Sequence, residues 1–177
     1  MGTPPDQRAA PDDRVTSRPV PESVRRPLLM SLRPRFAEAI LQGSKTVELR
    51  RTRVSAAADT TIIIYASTPV MSVVGVATLA KVDTAAPGTL WRRYRHRLGL
   101  TRSEFDDYLA GVDAATCLSI TNPRTLDEPL KLADLRAQAD FQPPQSYRYL
   151  APHDPDMLHS LTENVQVGPT PLEVGRR

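Results

Sequence analysis

The sequence predicts an α+β domain, a small, curved, mostly antiparallel β-barrel with flanking helices. Three observations lead there. Segments of strand period outnumber those of helical period. They mostly neighbour one another instead of alternating with helices. Two of them, "TIIIYA" and "VMSVVGVATLA", are apolar enough to supply a buried sheet. A doubly wound parallel sheet would need strands and helices to alternate. At 177 residues the chain suits one domain with a sizeable core, and no repeat or compositional linker divides it.

The elements follow in order. "PLLMSL" reads as a first strand. "RPRFAEAILQG" then places Phe36, Ala37, Ile40 and Leu41 on one helical face, with Gly43 as a left-handed stop. In "GSKTVELRR", period two puts Thr46, Glu48 and Arg50 on one side of a strand and Val47 and Leu49 on the other. Two apolar strands, about 61–66 and 70–82, are joined by "STPV", and Gly75 inside the second signals a bulge or a close backbone approach. A helix carrying Trp91, Tyr94 and Leu98 comes next. The one after it opens on "TRSE", a Thr-x-x-Glu capping box ahead of Phe105, Tyr108 and Leu109. "ATCLSITNPRTL" returns to strand, "LADLRAQ" suits one or two helical turns, and "FQPPQSYRYL" fits a closing strand.

The ends differ from this middle. Residues 1–26 are rich in proline, charge and small polar residues, too little apolar surface to offset chain entropy, and are read as a disordered tail. Residues 151–177 mix proline and isolated apolar residues without period and are read the same way, which leaves 27–150 as the folded module. The N-terminus lacks an apolar h-region and no run reaches the roughly 18 apolar residues of a membrane span, so a soluble, cytoplasmic protein with no membrane partner is expected. The one cysteine, Cys117, sits in the apolar "ATCLSI" and is read as a buried structural thiol. His96, His153 and His159 have no ligand spacing, so no metal or cofactor is assigned.

Charge is distributed unevenly. From Arg25 to Arg53 the chain carries Arg25, Arg26, Arg33, Arg35, Lys45, Arg50, Arg51 and Arg53 against Glu38 and Glu48. A second cluster, "WRRYRHR", sets Arg92, Arg93, Arg95 and Arg97 beside Trp91 and Tyr94. Arginine next to aromatics suits a phosphate backbone and base stacking, and it equally suits a solvated helix face. Glu48, beside Lys45 and Arg50, reads as a salt bridge, an acceptor for a base's exocyclic amine or a general base. Glu104 reads as a cap or a catalytic carboxylate.

The order "LLMSLRPRFAEAILQGSKTVELRR", "IIIYASTPVMSVVGVATLAKV", a helical insertion and "PLKLADLRAQADFQPPQSYRYL" resembles the ASCH family of the PUA-like superfamily, in its bacterial subgroup, over residues 28–150. The corner Gly43, Lys45, Thr46, Glu48 and Arg50 carries most of the likeness. The resemblance implies a PUA-like barrel that binds RNA, a nucleotide or a modified nucleobase, in a cleft lined by Lys45, Thr46, Glu48 and Arg50 with Arg148 at its rim. One branch looks like an amidohydrolase acting on N4-acetylcytidine through a lysine, a threonine and a later glutamate. Here the lysine falls on Lys45, the threonine position is occupied by Glu48, and the later glutamate corresponds to Glu104. Thr46, two residues before Glu48, is the alternative hydroxyl. An RNA-cleaving activity using Lys45 and a protein-interaction module are the other functions weighed.

Overall fold

Side-chain alternation in the first strand sets the layers. A computed structural model describes residues 26–163, and in it β1 (Leu28–Leu32) turns Leu28, Met30 and Leu32 to one face and Leu29 to the other, with all four buried. Helix α1 (Pro34–Leu41) starts with proline in its first turn, buries Ala37 and Ile40 against the first of those faces, and ends before Gly43 at φ 78°. Next come β2 (Val47–Arg50), β3 (Thr60–Ala66) and β4 (Ser72–Ala85), then α2 (Pro87–Tyr94) and α3 (Arg102–Tyr108). The chain continues through β5 (Ala115–Lys131), α4 (Leu132–Gln138), β6 (Tyr147–Tyr149) and α5 (Asp156–Glu163).

The strands form one curled sheet in the order β2-β5-β4-β3-β1-β6. Its neighbours are antiparallel except β1 and β3, which run parallel. That central parallel pair is covered on both sides, which is why "TIIIYA" is continuously apolar: Ile62 and Ile64 face α1, while Ile63 and Tyr65 join Leu132 and Leu135 of α4 and Leu158 of α5. A third cluster packs Val47 and Leu49 of β2 against Leu90, Tyr94, Phe105 and Leu109, and holds the buried Cys117. Gly75 lies at a register shift between β4 and its neighbours, and a Cβ there would meet Leu41 at 2.4 Å and the Arg124 carbonyl at 2.7 Å. Only glycine lets α1 and β5 approach β4 so closely.

Two sequence expectations need correcting. The barrel does not close: β2 and β6 are the sheet's two edges and do not pair, so the architecture is a half-barrel. The edges are short, four residues in β2 and three in β6, and side chains span the seam between them. The C-terminal segment beyond 151 opens with α5, not a disordered tail, because Leu158 is fully buried among Leu29, Tyr65 and Phe141. The expected tails at 1–25 and 164–177 lie outside the described residues. No helix among the described residues is long and apolar enough to cross a membrane.

Candidate functional site

The seam left by the unpaired edges is also where charge is buried. The backbone N–H groups of Thr46 and Val47 both donate to the Arg97 carbonyl, so regular alternation begins only at Val47. From there Val47 and Leu49 point to the α2–α3 cluster, and Glu48 and Arg50 point into a cleft of about 550 Å³. Lys45, just before the strand, reaches the same cleft with its stem packed along Gly99. Lys45, Glu48 and Arg50 are 2%, 6% and 6% exposed.

These three form one chain of charge. Glu48 lies between the cations, with Oε2 3.2 Å from Lys45 Nζ and Oε1 3.1 Å from an Arg50 nitrogen. An ammonium has three donors. Lys45 spends two of them on the carbonyls of Val47, at 2.8 Å, and Leu98, at 2.5 Å, and directs the third at Glu48. A lysine so engaged positions the carboxylate and has no hydrogen left for a phosphate. Arg50 closes the seam: Nη1 donates to the Ser146 hydroxyl at 2.8 Å and Nη2 to the Ser31 carbonyl at 3.3 Å, linking β2 to β1 and to the start of β6. The tyrosines of β6 reinforce it, since Tyr147 donates to the Arg53 carbonyl and Tyr149 to that of Ser55.

The cleft walls come from α1 and α3. Arg33, Arg35 and Phe36 form one side, and Leu100, Glu104, Asp107 and Tyr108 the other. Arg35 stacks on the Phe36 ring, 4.2 Å from its centroid, and bridges to Glu104 at 2.6 Å across the mouth. Glu104 also completes the capping box with Thr101. The Thr101 N–H and the Arg35 guanidinium together hold its carboxyl down at about 2. Arg51 donates to the carbonyls of Tyr108 and Ala110, which fixes the end of α3 and leaves the Tyr108 ring exposed at the cleft.

The structure thus gathers Lys45, Glu48 and Arg50 around one hollow and puts Glu104 at its mouth. It does not bring in the other two. The Thr46 hydroxyl accepts from Arg97 at 2.9 Å, and Thr46 is not among the residues lining the cleft. Arg148 makes two 2.6 Å bonds to the Asp154 carboxylate, beside Phe141 in the layer that holds α4 and α5. Asp107 and Tyr108 were missed, although their spacing of three and four from Glu104 places all three on one helical face. Ser31 and Ser146 carry no sequence signal, because they meet Arg50 only through the fold.

A family model described as "Domain of unknown function (DUF365)" matches residues 27–142. The ASCH domain-containing ribonuclease of Zymomonas mobilis is 38% identical over 143 residues, which cover 80% of this chain and 96% of that protein. This chain belongs to the ASCH family. The crystal structure of ASCH from Zymomonas mobilis agrees at a TM-score of 0.72 and 37% identity, over 77% of this chain and 96% of that one. A Pseudomonas putida protein of known structure shares the fold at a TM-score of 0.51 and 15% identity. This ASCH chain thus shares its overall fold with the Zymomonas protein.

Proposed function

We propose that this ASCH protein binds single-stranded RNA in the cleft between β2, α1 and α3. One observation carries the reading: Lys45, Glu48 and Arg50 are nearly buried, yet all three line a single hollow walled by Arg33, Arg35, Phe36 and Tyr108. Buried ion pairs contribute little to stability compared with apolar side chains of the same size, so folding alone does not account for three charges here. The arginine side of the cleft, Arg33 and Arg35, suits a phosphate backbone, and the exposed Tyr108 ring on the facing wall suits a stacked base. The name of the Zymomonas ribonuclease supports RNA as the ligand class.

RNA cleavage is the second reading, favoured by that same name. A group that takes a proton works best with a pKa near the working pH. Glu104, held at about 2 and occupied in capping α3 and bridging Arg35, is poorly suited, and Glu48 is the carboxylate directed into the cleft, so this reading assigns the role to Glu48 by position. The amidohydrolase reading has no geometric support, because no threonine lines the cleft.

A single titration tests both readings, with fluorescent single-stranded RNA at low salt, binding followed by anisotropy and strand length by gel. Wild type is expected to bind. Arg33→Ala with Arg35→Ala should weaken binding and lower the slope of log affinity against log salt by about 0.7 for each phosphate no longer neutralised. Shortened strands that disappear with Glu48→Gln would establish cleavage. Absence of binding to any RNA or nucleoside would end the proposal.

A further inference from the structure

One carboxylate in the cleft serves two partners with separate oxygens. Glu104 of α3 accepts from the Thr101 N–H and hydroxyl on Oε2, at 2.9 and 3.2 Å, which closes the capping box. Its Oε1 accepts from Arg35 of α1 at 2.6 Å, 69 residues away in the chain. Both residues line the cleft, and the two side chains are 54% (Arg35) and 36% (Glu104) exposed, so their contact lies at the mouth and not on the floor. Detaching Arg35 would therefore leave the cap of α3 whole. An exposed ion pair costs little to break.

Arg35 is meanwhile held in position. Its guanidinium lies 4.2 Å from the Phe36 ring centroid, and among the described residues its hydrogen-bond partner is Glu104 alone. A guanidinium fork accommodates a carboxylate or a phosphate in the same way. Glu104 thus occupies, from within the chain, the place on Arg35 that an RNA phosphate would take. Protonation does not vacate that place near neutral pH, since the carboxyl is held down at about 2. A competing anion does. Asp107 gives the comparison: it lines the same wall one helical turn on, yet pairs with no arginine among the described residues and accepts from Ser103.

We propose that the Arg35–Glu104 pair is an autoinhibitory latch across the cleft mouth, opened when an RNA phosphate displaces the carboxylate from the guanidinium. The inference rests on the cleft being the RNA site. Glu104→Gln is the deciding variant, because glutamine also completes a capping box while removing the charge. Affinity for a short fluorescent single-stranded RNA is measured by anisotropy at one low salt concentration in wild type, Glu104→Gln, Arg35→Ala, the double variant and Asp107→Asn. Glu104→Gln is expected to bind about twofold to fivefold more tightly, the range an exposed ion pair spans, and to gain more than Asp107→Asn, which removes equal charge. In the Arg35→Ala background the same change should gain no more than Asp107→Asn does. In wild type, saturating RNA should move the Arg35 Nε–H resonance and leave the Thr101 amide resonance in place. Equal gains in Glu104→Gln and Asp107→Asn, or a gain that persists without Arg35, would reduce the effect to bulk charge and overturn the latch while the RNA reading stands. So would an Arg35 resonance that stays put when RNA binds. If wild type binds no RNA, both readings fall.

Discussion

Lys45 shows how one residue changes meaning once its surroundings are known. In the sequence it is a cation near a glycine and a strand, suited to a phosphate if exposed and to proton transfer if desolvated. In the fold it is 2% exposed, with two carbonyls and a carboxylate as acceptors. Lys45→Met would leave Glu48 facing an apolar chain and two buried carbonyls unpartnered, at a cost of about 3–5 kcal/mol. Urea unfolding measures it, and a loss below about 1 kcal/mol would mean that water, and not Lys45, satisfies the carboxylate. Two features were readable from neighbours in the chain: the opposite facing of Glu48 and Leu49, and the buried thiol of Cys117, which burial pushes up to about 12. The departure of Thr46 was not readable, because its hydroxyl is captured by Arg97, a residue remote in sequence.

At the scale of elements, legibility follows the range of the interactions. The capping box of α3 was visible because Thr101 and Glu104 are three residues apart. Its link to α1 through Arg35 was not. The carboxyl of Glu104 drops from an ordinary 4.5 to about 2 in the fold, so its contribution to stability is complete above about 4.5 and disappears as pH falls through about 2. Thermal unfolding of wild type and Glu104→Gln across that window is expected to show a difference that shrinks with acid. A difference that stays constant would place the effect outside this carboxylate. Helix α5 was illegible for the converse reason. Its eight residues follow a proline and owe their order to docking, with Leu158 buried under the sheet and the Arg148–Asp154 pair holding the chain that leads into it.

For the whole molecule, the strand segments could be read from period, but neither their order in the sheet nor its closure could. Closure depends on strand tilt and stagger across the whole sheet, which no local pattern encodes, and here the edges β2 and β6 do not pair. The opening is bridged by Arg50, whose partner Ser146 is 96 residues away, and its outer part is walled by α1 and α3. The incomplete barrel thereby provides the hollow, and the charges that span it form its floor. Under the proposed function, Arg92 in α2 and Arg95 and His96 just beyond it would offer RNA a competing surface, since all three are accessible. Photo-crosslinking of thiouridine-containing RNA, with adducts mapped by mass spectrometry, separates the two most directly. Adducts are expected on peptides spanning 31–36 and 104–108, and adducts confined to Arg92, Arg95 and His96 would contradict a cleft-bound strand.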